Sequence, residues 1–434
     1  MNPRIAGVSF TEILDSRGNP TLQAVLGLDD GTTAACGVPS GASTGADEAI
    51  ELRDGDSERF NGKGVAGVAR TATTTITSMI TGMPLGSVND LREIDQVLID
   101  DDGADHYRRL GGNVATGVSM ATARALALSR QQPLWRILNE ALDDHTPDDV
   151  AVTPRLPVPH FNILNGGAHA SNNLDFQEFM IAAVGAPSLP DAVRAGAEIY
   201  HHLRAALQRD NLSVGLGDEG AFAPELTSPE HALTLIVQAI TDAGYRTGSD
   251  GVVIALDPAA NSFRHHHGYL VAGQQMSSAD LVGLYEHLID QFPIWSIEDG
   301  LGEDDWAGWA VLYQRLGERI QIMGDDIFVT DPARVDKGVR EQIANAALIK
   351  VNQIGTITQT LETVARCYQA GWSAMISHRS GETPDDFIAD LAVGAGCGQL
   401  KSGAPARGER IAKYNRLLNI AVDGTVDAWG LRPQ

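Results

Sequence analysis

The sequence predicts an α/β protein in which an α+β unit precedes a β/α barrel, and three patterns support this fold class. Strand-like stretches followed by helix-like stretches occupy about the first 145 residues. A proline-rich stretch follows at residues 146–159. Beyond it, short apolar runs that end in a polar residue recur at intervals of 41, 27, 25, 28 and 23 residues, with helical patterns between them. This series is typical of consecutive βαβ units without a reversal, which close most simply into a barrel.

The N-terminal unit, residues 1–145, is predicted to hold two strands and then three helices. Apolar patterning predicts strands over residues 5–14 and 21–28, joined through the turn-forming residues 15–20. Residues 36–46 are rich in Gly, Ser and Ala and are interpreted as a loop. Helical spacing of apolar residues predicts helices over 65–79, 91–99 and 114–126. Strands first and helices afterwards are typical of an α+β unit.

The second unit, residues 146–434, is predicted to contain a series of strands with a polar residue after each. The apolar runs cover 252–256, 294–297, 320–323, 347–349, 374–377 and 398–400, with helices over 331–345 and 356–370. The polar residues that follow the runs are Asp257, Glu298, Asp325, Lys350, His378 and Lys401. In a barrel these residues share one rim, where barrel enzymes carry their chemistry. A plainer interpretation is that they only end strands, although Lys and His are not ordinary turn residues.

Composition excludes several classes of function. The chain has 56 acidic and 32 basic residues and a formal net charge of −24, so it repels nucleic acid and anionic lipid. A small anionic substrate is still compatible with this charge if local cations bind it. The sequence has no apolar run of membrane-spanning length and no secretion signal, so we expect a cytoplasmic protein. Its cysteines, Cys36, Cys367 and Cys397, are too far apart to indicate a disulfide framework or a zinc ribbon.

Three acidic residues at the predicted rim indicate a metal site. Asp257, Glu298 and Asp325 each close a different predicted strand, so they should converge. Carboxylates that lie together repel one another unless a cation lies between them. Oxygen ligands without nearby cysteine suit a hard ion such as Mg²⁺. The alternative is three separate acids that form salt bridges or cap helices.

Cationic residues at the same rim indicate proton abstraction from a phosphorylated substrate. Lys350 and Lys401 are two of only five lysines in the chain. A lysine beside a metal ion can remove a weakly acidic proton next to a carboxylate, provided that nearby positive charge lowers its pKa. Arg379 and Ser380 follow His378 and can hold a phosphate by charge-assisted hydrogen bonds.

Short motifs along the chain then identify a family. In order they are DSRGNPT at 15–21, PSGASTG at 39–45, NILNGGAHA at 162–170, FQEFMI at 176–181, GDEG at 217–220, SIED at 296–299, GDD at 324–326, KVNQIGT at 350–356, SHRSGET at 377–383 and GAPAR at 403–407. Together they strongly resemble the enolases, the glycolytic 2-phosphoglycerate hydro-lyases. The resemblance runs from about residue 5 to residue 420 and implies an N-terminal α+β domain that caps a modified TIM (β/α) barrel.

The resemblance implies a Mg²⁺-dependent dehydration of 2-phosphoglycerate to phosphoenolpyruvate through an enolate. Lys350 matches the base that takes the C2 proton, and Glu219 matches the acid that helps the C3 hydroxyl leave. His378 and Glu178 match further catalytic positions. The implied substrate-binding residues are Arg379 and Ser380 for the phosphate and Lys401 for the carboxylate, with His169 and Gln177 at remaining positions around the substrate.

The same resemblance implies two Mg²⁺ ions in each active site. One is permanent and has Asp257, Glu298 and Asp325 as ligands. The other arrives with the substrate and uses Ser43, which lies on a mobile loop. Enolases are usually homodimers and sometimes octamers, so we expect this chain to form one of these assemblies.

Some positions depart from the family pattern beside the implied catalytic residues. Ala168, Ala221 and Gly300 replace the Ser, Gly and Pro of the patterns GGSH, GDEGG and SIEDP. An alternative is therefore an enolase paralogue that acts on a phosphonate-containing analogue, as in carboxyphosphonoenolpyruvate synthesis for phosphonate antibiotics. A further alternative is a non-catalytic scaffold, but the residues that carry the chemistry are all present.

Overall fold

A computed structural model describes residues 2–42, 44–103, 106–146, 152–265 and 268–432. The N-terminal unit begins with an antiparallel sheet in the order β1-β2-β3. Its strands are β1 (Ile5–Leu14), β2 (Pro20–Leu28) and β3 (Thr33–Gly37). Its helices are α1 (Ala66–Ile80), α2 (Val88–Asp102), α3 (Gly112–Ser129) and α4 (Leu134–Asp143). The two predicted strands and three predicted helices are confirmed to within a few residues, whereas β3 and α4 were not predicted.

The second unit contains the closed barrel and the helices around it. In chain order its first elements are β4 (Arg155–Leu156), β5 (Val158–Asn165), β6 (Glu178–Ala182), α5 (Leu189–Arg209), α6 (Pro229–Asp242), β7 (Val253–Asp257), β8 (Arg264–His265), β9 (Gly268–Val271), β10 (Gln274–Met276), α7 (Ser278–Gln291) and β11 (Ile294–Glu298). The remaining elements are α8 (Trp306–Leu316), β12 (Gln321–Gly324), α9 (Pro332–Glu341), β13 (Ala346–Ile349), α10 (Val351–Ile354), α11 (Ile357–Gln369), β14 (Ser373–Ser377), α12 (Phe387–Gly394), β15 (Gln399–Lys401), α13 (Gly408–Val422) and β16 (Ala428–Trp429). None of the described helices is long and apolar enough to cross a membrane.

The strand order of the barrel confirms the predicted series and adds a reversal outside it. Eight strands close the barrel in the order β11-β12-β13-β14-β15-β5-β6-β7. The six predicted strands are parallel to their neighbours in the series, whereas β6, which was not predicted, is antiparallel to both β5 and β7. The sequence prediction missed β5 because a proline and polar residues interrupt its apolar run, and it missed β6 because the polar residue Glu178 begins the run and does not end it. The reversal places Glu178, the first residue of β6, opposite Asp257, the last residue of β7.

Helix α3 joins the N-terminal unit to the barrel. It is buried on nearly all sides, and its small residues allow the N-terminal sheet to approach closely. A Cβ atom on Gly117 would lie only 3.0 Å from that of Ala24 in β2. On the barrel side, the Ser119 hydroxyl accepts a hydrogen bond from the backbone N–H of Ile357, the first residue of α11, at 2.8 Å.

A buried carboxylate of α2 also caps the barrel helix α11. Asp95 is fully buried and accepts hydrogen bonds from the backbone N–H and the hydroxyl of Thr358, at 3.0 and 2.6 Å. These bonds satisfy a backbone donor that the first turn of a helix leaves without a partner. Burial nevertheless raises the pKa of Asp95 to about 6, because the charged form loses its hydration.

We expect Asp95 to make the stability of the protein depend on pH. The pKa of this carboxyl is about 6 in the folded protein and 3.8 in the unfolded chain, so between these pH values the folded state binds more protons than the unfolded state. Stability from this group is therefore complete below pH 4 and falls by about 3 kcal/mol as the pH rises through 6. Asp95→Asn should lack this fall in urea unfolding measured from pH 4 to pH 7. The control is Asp100→Asn, an exposed change on the same helix, whose free energy of unfolding should depend on pH as that of the wild type does. If the Asp95→Asn protein also showed the pH dependence of the wild type, the assignment to Asp95 would be contradicted.

Candidate active site

The predicted site residues meet at one end of the barrel. Residues that end a barrel strand or directly follow one are Asp257, Glu298, Asp325, Lys350, His378 and Lys401. All of them except Glu298 line one small cavity. The described residues that line this cavity are His169, Gln177, Glu178, Glu219, Asp257, Asp325, Lys350, Ser377, His378, Arg379, Ser380 and Lys401. Glu298 lies just beneath, bonded to Lys401.

A single ammonium group connects three buried acids. Lys401 Nζ lies 2.8 Å from Glu298, 3.3 Å from Asp257 and 3.3 Å from Glu178. Burial and the repulsion among neighbouring acids raise the pKa values of Glu298 and Glu178 well above their usual range. Burial acts to lower the pKa of Lys401, but the acids outweigh it and raise that pKa, so the ammonium stays charged. One ammonium is thus not enough to keep all three acids ionised.

Lys350 and Asp325 form a second buried ion pair. The Lys350 ammonium donates to Asp325 Oδ2, and Gln353 Nε2 donates to Asp325 Oδ1 at 2.8 Å. Burial acts to lower the pKa of Lys350, but the Asp325 carboxylate outweighs it and the pKa is raised. The expectation that neighbouring positive charge lowers this pKa is therefore wrong for the side chains alone. The nearest charge is a carboxylate, and it stabilises the ammonium form.

Glu219 lies between two imidazoles in the wall of the cavity. Its carboxylate is 2.9 Å from His378 Nε2 and 3.6 Å from His169 Nδ1, and it accepts a hydrogen bond from Asn162 at 2.9 Å. Burial acts to raise the pKa of Glu219, but the imidazoles stabilise its carboxylate and the pKa is lowered well below its usual value. Burial lowers the pKa of His378 to about 4, so at neutral pH this imidazole is an uncharged hydrogen-bond donor.

Arg379 and Ser380 lie where the N-terminal unit covers the barrel. The Arg379 guanidinium is buried, and its Nη1 is 2.9 Å from the Glu48 carboxylate. Burial acts to lower the pKa of Arg379, but Glu48 outweighs it and the pKa is raised. Ser380 Oγ accepts a hydrogen bond from the backbone N–H of Ala42 at 3.1 Å. Ser43 lies outside the described residues, so its predicted role as a metal ligand stays a prediction.

The oxygen-rich rim fits a hard divalent cation. Asp257, Glu298 and Asp325 lie at the ends of the neighbouring strands β7, β11 and β12. Glu298 Oε2 and Glu178 Oε2 are buried and have no hydrogen-bond partner among the described residues. Buried carboxylate oxygens without a donor are costly, and a Mg²⁺ ion bound there would satisfy them.

Other residues of the site were not predicted. Asn162 orients Glu219, and Gln353 connects Asp325 to Glu48. Asp299 adopts a positive φ of 42° and accepts the backbone N–H groups of Asp325 and Asp326 at 2.8 and 2.9 Å. Asn162, Gln353 and Asp299 lie inside recognised motifs, whereas Glu48 does not. A motif does not reveal which of its polar residues face one another.

Two family descriptions match the chain on either side of the unit boundary. "Enolase, N-terminal domain" matches residues 5–138, and "Enolase, C-terminal TIM barrel domain" matches residues 153–427. The chain belongs to the enolase family. A curated relative named Enolase, from Beutenbergia cavernae, is 50% identical over 416 residues, which cover 96% of this chain and 94% of the relative. The predicted fold class, an enolase N-terminal domain followed by a TIM barrel, is confirmed.

The departures from the enolase pattern lie beside the cavity rather than in its wall. Ala168, Ala221 and Gly300 are absent from the described residues that line it. Ala221 is completely buried. A Cβ atom on Gly300 would lie 3.0 Å from Ile297 Cγ2 and 3.3 Å from Tyr285, so this position faces the packed interior. These substitutions therefore give no sign of an enlarged cavity.

We expect the loss of Lys401 to make folding depend on divalent cations. Lys401→Ala leaves buried acids without their shared ammonium and should cost about 3–5 kcal/mol in free energy of unfolding. Millimolar Mg²⁺ should restore much of this loss, because it supplies charge at the same acids. Thermal unfolding in EDTA and in Mg²⁺ measures the effect, with the exposed Lys63→Ala as control. Equal Mg²⁺ stabilisation of Lys401→Ala and wild type would contradict this account.

Proposed function

We propose that this member of the enolase family is a Mg²⁺-dependent hydro-lyase that converts 2-phosphoglycerate to phosphoenolpyruvate. The observation that carries the proposal is one small cavity whose wall contains both a lysine and a buried glutamate. Lys350 and Glu219 both line this cavity. Removal of a proton from one carbon and of a hydroxyl from the next requires groups placed in this way.

The charges around the cavity support an anionic substrate. The protein as a whole is strongly acidic, but Lys350, Arg379 and Lys401 all line the cavity. Arg379 and Ser380 would hold the phosphate, because a planar guanidinium forms parallel hydrogen bonds to phosphate oxygens. Lys401 would hold the carboxylate, which requires exchange of some of its present bonds to the acids.

In the first step, Lys350 Nζ takes the proton from C2. Its ammonium must first lose a proton, and the Asp325 carboxylate opposes this loss. Asp257, Glu298 and Asp325 are the residues that would hold Mg²⁺. Bound there, Mg²⁺ stabilises the negative charge that develops on the substrate carboxylate. If Asp325 also held Mg²⁺, its carboxylate would stabilise the Lys350 ammonium less than it does alone. The pKa of Lys350 would therefore fall when Mg²⁺ binds.

In the second step, Glu219 delivers a proton to the C3 hydroxyl as it leaves. The described residues favour the ionised form of Glu219 and the protonated form of Glu178. A substrate with two anionic groups raises the pKa of a nearby carboxyl. His169, Glu178 and Glu219 each place a side-chain oxygen or nitrogen atom within 4.8 Å of the others, so a proton would pass from Glu178 to Glu219 through one intervening group. Burial of these groups keeps water away from the reacting carbon.

The proposal is tested by ultraviolet detection of phosphoenolpyruvate formed from 2-phosphoglycerate with Mg²⁺, beside a known enolase. We expect turnover within about tenfold of that control, which corresponds to about 1.4 kcal/mol in the barrier. A folded protein that turns over about a thousandfold more slowly would contradict the proposal. Turnover of a phosphonate-containing glycerate would then favour the paralogue, and inertness toward both would favour a scaffold.

Lys350→Ala is expected to abolish exchange of the C2 proton with solvent. The methyl side chain cannot take the proton, and in this part of the cavity Lys350 is the residue we assign as base. Exchange is measured by loss of deuterium from 2-phosphoglycerate labelled at C2. Exchange at a rate close to that of the wild type would remove Lys350 from this role.

Glu219→Gln is expected to separate the two steps. The amide cannot donate an acidic proton, so dehydration should fall by about a hundredfold or more while C2 exchange continues. Both rates are measured on the same preparation, so a folding defect would lower both. Loss of both activities, or survival of both, would show that Glu219 is not the acid.

A further inference from the structure

Glu48 belongs to the N-terminal unit, yet its carboxylate forms part of the wall behind the candidate active site. Its side chain is only 8% exposed. Oε1 accepts hydrogen bonds from the backbone N–H of Gly45 at 3.1 Å and from Gln353 Nε2 at 3.2 Å. Arg379 donates to both oxygens, from Nη1 at 2.9 Å and from Nη2 at 3.2 Å. These bonds from three parts of the chain fix the orientation of the carboxylate.

The contact with Glu48 also fixes the plane of the Arg379 guanidinium. Paired N–H bonds to a carboxylate hold a guanidinium more rigidly than a single bond. Asn352 Oδ1 accepts a further bond from Nη1 at 3.1 Å. Arg379 is buried, and a buried cation is costly unless an anion pairs with it. Glu48 is thus the carboxylate that allows a charged arginine to lie at the cavity.

The described residues on either side of position 43 lie close to the barrel. A Cβ atom on Gly41 would lie 2.1 Å from Arg379 Nη2, and one on Gly45 would lie 2.5 Å from Val329. Glycine at these positions therefore permits an approach that another side chain would block. This close approach lets the Glu48 carboxylate reach Arg379.

Gln353 extends the connection from Glu48 to the catalytic rim. The same amide nitrogen that donates to Glu48 donates to Asp325 Oδ1 at 2.8 Å. Gln353 Oε1 accepts the hydroxyl of Thr330 at 2.6 Å, and that hydroxyl accepts the backbone N–H of Lys350 at 2.9 Å. Gln353 and Thr330 are fully buried, so these bonds are not exchanged with water.

We propose that Glu48 is a positioning residue that orients Arg379 for the substrate phosphate. The inference rests on the proposed function for the identity of the phosphate-bearing substrate. Because Glu48 belongs to the N-terminal unit and Arg379 to the barrel, the contact between the two units prepares the guanidinium that would bind the phosphate.

The test compares Glu48→Gln with Asp47→Asn, the same chemical change one residue earlier. Glutamine keeps the size of Glu48 and one acceptor for Gly45 and Gln353, but it loses the charge opposite Arg379. Asp47 pairs with Arg334 at a site where the aspartate side chain is 50% exposed. Loss of the Asp47 charge should alter phosphate binding by less than about twofold, because exposed ion pairs contribute little. Inorganic phosphate is the probe, titrated by calorimetry into the full-length protein with Mg²⁺.

Glu48→Gln should weaken phosphate binding by about tenfold and raise KM for 2-phosphoglycerate by a similar factor, with a smaller change in kcat. Glu48→Asp, which keeps the charge, should recover part of this loss. In an Arg379→Lys background the same Glu48→Gln change should have little further effect, because the paired geometry is already gone. A merely structural role would lower kcat and stability without this split.

Equal phosphate affinity and KM in Glu48→Gln and Asp47→Asn would overturn the inference, as would an undiminished effect in the Arg379→Lys background. Wild-type protein that binds no phosphate would also overturn it, because Arg379 would then not be prepared for a phosphate. Wild-type protein that binds phosphate but does not turn over 2-phosphoglycerate would contradict the proposed function alone. The phosphate titration would still decide the role of Glu48.

Discussion

The architecture of the site depends on charge neutralisation inside the barrel. Glu178, Asp257 and Glu298 can lie together only because the Lys401 ammonium lies among them. Each acid is buried, and without a shared cation their repulsion would separate the strand ends that carry them. The same rule governs Lys350 with Asp325 and Arg379 with Glu48. The cavity is thus a set of paired charges, and an anionic substrate enters it by exchanging partners rather than by filling an apolar space.

The pattern of strand ends was sufficient to predict the rim, because parallel strands deliver their terminal residues to the same edge whatever lies between them. It did not include the reversed strand β6, since the polar residue of this strand, Glu178, precedes the apolar run and does not end it. It is this reversal that brings Glu178, a residue at the start of a strand, to the same edge as Asp257 at the end of one. Family resemblance identified Glu178, and only the strand pairing explains its position.

Polar contacts between distant segments were beyond what the sequence could predict. Glu48 and Arg379 are separated by 331 positions, and no local rule relates them. The protonation of Lys350 was also misjudged, because the nearest partner of its ammonium is an aspartate and not a cation. Such effects depend on distances of a few ångströms, which motifs do not contain. The sequence therefore predicts which residues take part more reliably than it predicts how they are charged.

The capping of α11 by Asp95 and Ser119 also limits how the chain can be divided. A fragment beginning at the barrel would leave the backbone N–H groups of Ile357 and Thr358 without their acceptors, and it would uncover the apolar surface beneath α3. The short helix α10 begins directly after Lys350 and leads into α11. Fraying at the start of α11 would therefore reach the candidate active site. The N-terminal residues are thus an integral part of the barrel's own folding unit, and an isolated barrel would be expected to aggregate rather than retain activity.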